Sequence, residues 1–538
     1  MKRVHNVAPF LFAILLNGGL AQAAEGPSQD ELNKASESTD WLLPNHSYQS
    51  QRFVNLKQID RSNAAQLRPV CIYSSGDTNR FASNPLVYRG VMFFTTGDTT
   101  IAISASSCEL RWRHDWKSKL KPAEVKSSSG IVSNPFKSRG MSIKDGKLVR
   151  GTSDSHLVAL DIETGKLLWD KAIANAEKIE LIIMAPLIYE DLVIAGIGIS
   201  ELAVKGWIGA FRLSDGEPVW RFNTVSDDGE PGADSWSEAK DRQRGGGGLW
   251  VTPSLDTEAG VLYAAVGNPV PDFFGDTRLG SNLYTASMVA LDVKTGKLKG
   301  YKQIVPHDLH DWDLTVAGPI YKGKGSKSIL AVGGKDGFLR AFDRDSYEQI
   351  FETAVTTQKN ADVTPTVDGV HACPGVLGGM QWSLPAYNPQ LNALFAPAVD
   401  WCGQFKKADE FRLISGQLYM GGSYTYDPVE KSKGWLTAVD ASTGAVKWKY
   451  ESKRPMVAAV TTTASDLVFT GDLTGNFLAL DAKDGSVLYR FNMGTPIAAG
   501  VISYAVESKQ YVAVAAGATA GFWRAPPGST TVVVFSLP

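Results

Sequence analysis

Three positions offer hard oxygen atoms where a repeating hydrophobic framework has no need of them. Glu201 follows the apolar run VIAGIGIS, Asn268 follows VLYAAVG, and Asp313 lies in HDLHDWDLT with Asp308 and Asp311 beside it. A carboxylate and an amide oxygen offered from separate strand ends are the donor types that suit Ca2+. Each residue alone also fits a plainer role, as a turn-capping side chain or a solvated acid. His307 and His310 stand three apart beside acids, a spacing that zinc and manganese sites use. No third histidine is close, however, and the segment reads as the exit of a strand rather than a helix. The run Gly245 to Gly248 lacks the GK[ST] sequence of a phosphate loop. It reads instead as a close backbone approach to something flat, ending at Trp250, which is either a stacking platform or core. The four cysteines, at 71, 108, 373 and 402, form neither CxxC nor CxxCH, so a thioredoxin motif and a c-type haem attachment are excluded.

Those side chains need rigid strand ends to hold them. A phrase of the form Ala-hydrophobic-Asp-x-x-Thr/Asp-Gly-x-x-x-Trp recurs as ALDIETGKLLW (Ala159 to Trp169), AFRLSDGEPVW (Ala210 to Trp220) and AVDASTGAVKW (Ala438 to Trp448). Weaker copies begin at Ala102, Ala290, Ala341 and Ala479. This is strand, tight turn, strand: Asp and Gly supply the turn and its positive φ, and the closing aromatic packs between neighbouring units. A spacing near 40–50 residues with four short strands per unit is the signature of a β-propeller. The widest interval between copies, 97 residues, has room for a unit without the phrase, and Ala386 to Val399 reads as its hairpin. Thr530 to Leu537 completes the ring beside the N-terminal strands and leaves no open edge. The expected fold is all-β, an eight-bladed β-propeller in a single domain over residues 24–538, with seven blades as the rival count. Pro27 to Leu43 reads as a helical cap, and Ser226 to Gly248 as a long polar surface loop near the entrance.

The composition agrees with a globular chain. Of 538 residues, 43% are hydrophobic and 20% charged, and the formal net charge of -2 leaves no basic excess for binding nucleic acid. Lys2 and Arg3, the apolar stretch Ala8 to Leu20 and the small-x-small Ala21-Gln22-Ala23 read as a signal peptide over residues 1–23, cleaved near Ala23. No later stretch is long and apolar enough to span a bilayer, so the expected location is the periplasm. Four cysteines allow three pairings, and local pairing closes loops of about 30–40 residues.

Together these segments resemble the pyrroloquinoline quinone (PQQ)-dependent alcohol dehydrogenases, the methanol and ethanol dehydrogenase group of quinoproteins. The likeness runs from QRFVNLKQIDRSN at Gln51 to YVAVAAG ending at Gly517. Its markers are GISELAVKG around Glu201, LWVTPSLD with Trp250, VGNPVP with Asn268, PHDLHDWD with Asp313, GGKDGFLRAFDR with Lys335 and CPGVLGGMQW…VDWC. The resemblance implies that Glu201 and Asn268 bind Ca2+, that Trp250 stacks on the quinone, and that Asp313 is the general base and approaches the metal. It further implies that Arg139 pairs with a PQQ carboxylate, that Lys335 bonds the reactive quinone oxygens, and that Gln381 and Trp382 lie against the cofactor. Cys373–Cys402 matches the family's structural disulfide. Cys71 is expected to pair with Cys108, a bridge the likeness does not carry.

This sequence departs from the pattern at five positions. Ser133 and Asn134 replace an adjacent cysteine pair, Ser50 a cofactor-contacting Glu, Ile183 a Thr, and Ala458 a late Trp. Lanthanide-dependent members carry an Asp two residues after the base, where this chain has Thr315, which favours Ca2+. The implied activity is oxidation of a small-molecule alcohol, with electrons passing to a separate cytochrome c because no CxxCH is present. The rival reading is a non-catalytic propeller, an envelope scaffold or binding protein.

Overall fold

The computed structural model describes residues 1, 26–118, 124–127, 130–133, 138–198, 201–236, 244–323, 327–411 and 418–538, with only the backbone described for 124–127 and 130–133. The expected signal segment beyond Met1 lies outside the described residues, as do Asn134 and the Ser133 side chain. No helix among the described residues is long and apolar enough to cross a membrane.

Short runs of Val, Ile, Leu and Phe, broken by Gly, Asp and Asn, fold into strands because each run is too short for a stable helix and ends in turn chemistry. Eight of the sheets have four or five strands, in most of them joined by successive antiparallel hairpins. One of these sheets runs through Ser254–Asp256, Val261–Ala265, Ser287–Asp292 and Leu298–Gln303. Its first strand is wholly buried and its last alternates between partly buried and exposed. Leu187–Tyr189 and Pro218–Asn223 show the same gradient in their sheet. First strands therefore face the interior and fourth strands the outside.

Every copy of the repeated phrase falls on the last two strands of its sheet and the turn between them. The closing tryptophan does what its position suggests. Trp112, Trp169, Trp220 and Trp448 donate their indole N–H to the backbone oxygens of Ile162, Leu213, Val293 and Ala482, each in the following sheet, at 3.0–3.1 Å. The turn glycine of that following sheet lies against the ring. Gly165, Gly216, Gly296 and Gly485 have φ of 68–75°, and a Cβ on them would meet ring atoms at 2.4–2.9 Å. Glycine is required there twice over, by conformation and by contact.

The expected pairing of the C-terminal run with an N-terminal strand is present, and so is the expected hairpin. Arg68–Ser74 pairs antiparallel with Thr531–Ser536, so the last strand shares a sheet with an N-terminal one. Ala386–Asn388 pairs with Ala393–Asp400, but this hairpin belongs to the sheet that carries the phrase at Ala438; the sheet without a phrase is the one formed by Arg68–Ser74, Val501–Val506, Lys509–Ala516 and Thr531–Ser536. Both expected disulfides form. Cys373 and Cys402 flank the strands Val370–Ala372 and Gly403–Lys407 of a three-stranded sheet that also holds Gly422–Tyr426.

Two local expectations need correction. The helix after Pro27 is confined to Gln29–Asn33, with a Ser28/Glu31 capping box, followed by a 3-10 turn at Ala35–Glu37. Ser38 then accepts from the Asp40 backbone N–H, local bonding that competes with a continuing helix. The end of the loop expected on the surface is instead buried from Arg244 to Trp250. Arg244 Nη1 donates to Ser226 O at 2.7 Å, and Gly245–Gly246 pairs with Pro269–Val270.

The interlock makes Gly296→Ala informative. The left-handed conformation and the collision with the Trp220 ring together should cost about 2–4 kcal/mol, whereas Trp220→Phe, which loses mainly one hydrogen bond, should cost roughly 1 kcal/mol. Urea unfolding of both variants checks this; an unshifted midpoint for Gly296→Ala would show that the ring has room to move.

Candidate functional site

The singled-out residues stand just outside first strands or just after second ones. Arg139 precedes Ser142–Lys144, Trp250 precedes Ser254–Asp256, Asp313 precedes Leu314–Lys322, and Gln381 and Trp382 precede Ala386–Asn388. Glu201 follows Leu192–Gly196, Asn268 follows Val261–Ala265, and Lys335 follows Ser328–Gly334. In an antiparallel pair, the start of one strand and the end of the next lie at the same end of the sheet. Alternation along the chain thus becomes convergence in space.

A cavity of about 230 Å3 collects Arg139, Glu201, Trp250, Asp313, Lys335, Gln381 and Trp382. Asn268 lies directly behind it. The Lys335 ammonium sits 2.6 Å from Asp313 Oδ2 and 3.1 Å from Asp311 Oδ1, and all three side chains are under 10% exposed. Asp313 Oδ1 accepts the Asn268 backbone N–H at 3.0 Å and the Trp250 indole N–H at 3.3 Å. Burial pushes the Asp311 carboxyl up, against the pull of Lys335. Burial also works against the Lys335 charge, but Asp311 and Asp313 outweigh it and hold that amine above its ordinary range.

Close backbone packing makes this arrangement possible. A Cβ on Gly267 would fall 2.5 Å from Asp313 Oδ1, and one on Gly334 would fall 2.6 Å from Asp313 O. Gly247 N donates to Asn268 O and Gly267 N to Gly248 O, so the glycine run seats the Asn268 strand end rather than a flat ligand. Asp308 fulfils the plainer capping role, accepting the backbone N–H groups of His310 and Trp312 at 3.0 and 2.9 Å. His310 gives its Nε2 to Val363 O and stacks on Trp312, while His307 Nδ1 faces Gly280 O. Neither imidazole is arranged as a zinc ligand.

The oxygen donors fit a hard cation. Asn268 is fully buried, and its Oδ1 has no hydrogen-bond partner, a costly state for a buried amide oxygen. Its amide nitrogen is committed to Asp272 Oδ1 and to Pro269 O, which fixes Oδ1 on the opposite side. Asp272 is also fully buried with an unpartnered Oδ2, and burial, then the Glu201 charge, pushes its carboxyl well up. Arg278 clamps this segment by donating to the backbone oxygens of Pro271, Asp272 and Asp308. Among the described residues no three acids, histidines or cysteines converge closely enough to hold a metal unaided. Ca2+ takes six to eight oxygens, so an ion here needs more from a bound ligand.

The other wall is cationic and aromatic. The Arg139 guanidinium lies 4.6 Å from the Trp250 ring and 5.2 Å from the Trp382 ring, and donates to Trp250 O at 3.0 Å. Its Nε is buried without a partner, and burial lowers its pKa to about 9. A flat anion would relieve both conditions. Gln381 donates its amide to Leu377 O and Gly378 O, and Trp382 donates to Ala498 O, so both are fixed. Of the departing positions, Ile183 lines the cavity. Ser50 is buried outside it, accepting from the Ser254 hydroxyl at 2.9 Å, and Ala458 is buried core. Sequence reasoning assigned no role to Asp272, although the acid in NPVPD follows Asn268 closely, nor to Arg80, Tyr424, Tyr426 and Trp523, which line the cavity from distant segments.

Lys335→Met would leave Asp311 and Asp313 without their counter-ion. The apoprotein should lose about 3–5 kcal/mol in urea unfolding, and the double variant Lys335→Met/Asp311→Asn should recover part of it. Equal stabilities in all three proteins would show that the ammonium does not hold the carboxylates.

Residues 41–365 match the family model described as glucose/ethanol/alcohol dehydrogenase, beta-propeller domain, and residues 429–524 match one described as outer membrane protein assembly factor BamB. The quinoprotein alcohol dehydrogenase PedH of Pseudomonas putida is 27% identical, over 95% of this chain and 91% of its own. The dehydrogenase subunit of the quinone alcohol dehydrogenase of Gluconacetobacter polyoxogenes is 30% identical, over 94% and 76%. The crystal structure of quinohemoprotein alcohol dehydrogenase from Comamonas testosteroni superposes with a TM-score of 0.83 at 25% identity, covering 96% of this chain and 84% of that one. With the family model matching residues 41–365 and these relatives aligned over 94–96% of the chain, the chain belongs to the PQQ-dependent glucose/ethanol/alcohol dehydrogenase β-propeller family.

Proposed function

We propose that this protein is a periplasmic, PQQ- and Ca2+-dependent dehydrogenase that oxidises an alcohol to an aldehyde or ketone and passes the electrons to a separate cytochrome c. One observation carries the reading. Glu201, Asp313, Lys335, Trp250 and Arg139 come from separate parts of the chain to one cavity, with the orphaned Asn268 oxygen behind it. Packing alone does not ask for a carboxylate pair, an ammonium and an unpaired guanidinium in one place. The eight sheets are read as the blades of one propeller domain over residues 24–538. The signal-like start and the two disulfides support export, and the lack of CxxCH supports an external electron acceptor.

In this reading Glu201, Asn268 and Asp313 hold Ca2+, and Arg139, Trp250, Lys335, Gln381 and Trp382 hold PQQ. When bound, the quinone supplies the two-electron acceptor and the ion the Lewis acid that polarises it. Trp250 offers a flat face whose tilt is set by its bond to Asp313 Oδ1. Asp313 Oδ2 takes the hydroxyl proton of the alcohol. Lys335 fixes that carboxylate and balances the charge beside it. Tyr424, Tyr426 and Trp523 line the cavity with aromatic rings that leave less room for water. The non-catalytic reading draws only on the departures, and two of those, Ser50 and Ala458, lie outside the cavity wall.

Asp313→Asn keeps size and removes the proton acceptor. PQQ content should stay normal while turnover with dye acceptors falls about 10²–10⁴-fold; unchanged turnover would reassign the base. Glu201→Ala should give a folded protein that retains neither Ca2+ nor PQQ through gel filtration, measured by elemental analysis and absorbance, and full occupancy would remove Glu201 from the metal site.

A further inference from the structure

Arg80 lines the cavity, yet nothing above gives it a role. It is partly buried, and burial alone lowers its pKa, with no neighbouring charge offsetting the cost. Among the described residues no carboxylate pairs with it. It arrives beside the C-terminal segment, because Phe81 N donates to Ala518 O at 2.9 Å and the Phe81 side chain packs against Gly517. Phe522 and Trp523 of that segment line the same cavity. The cavity therefore holds two guanidinium groups, Arg80 and Arg139, neither with an ion-pair partner among the described residues. The carboxylates Asp311 and Asp313 are already taken by Lys335.

An arginine free to reach solvent would have no reason to stay half-buried without a counter-ion. Its planar fork matches a carboxylate with two parallel hydrogen bonds, which are strongest where water is thinned. We propose that Arg80 is a second carboxylate-binding residue of the cavity, taking a carboxylate that Arg139 does not reach. That carboxylate belongs either to the quinone cofactor or to the substrate, which would then be a hydroxy acid. The assignment rests on the PQQ reading above.

The test titrates apoprotein with PQQ in saturating Ca2+, following tryptophan fluorescence, for wild type, Arg80→Gln and Arg80→Lys. The same proteins, loaded with PQQ, are assayed with 2-propanol and with lactate. Loss of a charge-assisted hydrogen bond should weaken one partner about 10–100-fold in Arg80→Gln, with Arg80→Lys intermediate. A raised PQQ Kd places the cofactor carboxylate at Arg80. An unchanged Kd with a raised KM for lactate alone places a substrate carboxylate there. If wild type binds PQQ and neither quantity moves in the variants, Arg80 is not a carboxylate receptor. If wild type itself fails to bind PQQ, the cofactor reading falls and this assignment with it.

Discussion

The Lys335 ammonium is wedged between two carboxylates, Asp311 and Asp313, in a wall where all three are nearly buried. Two acids so close repel each other, and burial favours the uncharged form of each group taken alone. The ammonium turns that conflict into a fixed geometry. With Oδ2 of Asp313 held by Lys335, Oδ1 is free to receive the Trp250 indole and the Asn268 backbone. One ion cluster thereby sets the tilt of an aromatic face, the position of the Asn268 strand end and the orientation of the Asp313 carboxylate.

Such a cluster needs a scaffold that does not relax around it. The sheets supply this through repetition: each outer tryptophan reaches into the next sheet and lies under a glycine with no room for a side chain. Outer strands are locked to their neighbours, so inner strand ends cannot drift. The Cys373–Cys402 bridge acts similarly on the small sheet that brings Tyr424 and Tyr426 to the cavity wall. Glycines at 267 and 334 let backbone approach Asp313 where any side chain would displace it.

Much of this was legible in the sequence, for physical reasons that differ by element. The repeated phrase was readable because turn, glycine and tryptophan are coupled at fixed spacing, so the strand pairs and the sheet-to-sheet packing followed from local chemistry. Glu201, Asn268 and Asp313 were visible because polar residues at the ends of apolar strands have no packing purpose, whereas Lys335 was marked only by the family resemblance. The short helix at Gln29–Asn33 and the buried run after Arg244 were not, since Ser38 capping and pairing with Pro269–Val270 depend on partners that composition does not reveal. Asp272 and Arg80 escaped for a related reason. Each is an ordinary charged residue in a loop, and only its burial beside unpaired groups marks it out.

The account depends on a cavity that takes up a metal and a quinone together, with the Asn268 oxygen and the Arg139 guanidinium satisfied at the same time. Equilibrium titration of wild-type apoprotein with PQQ, in chelator and in saturating Ca2+, tests this most directly. The account predicts saturable binding of one PQQ per chain in Ca2+ and far weaker binding in chelator. Equal binding in both conditions, or none in either, would contradict it.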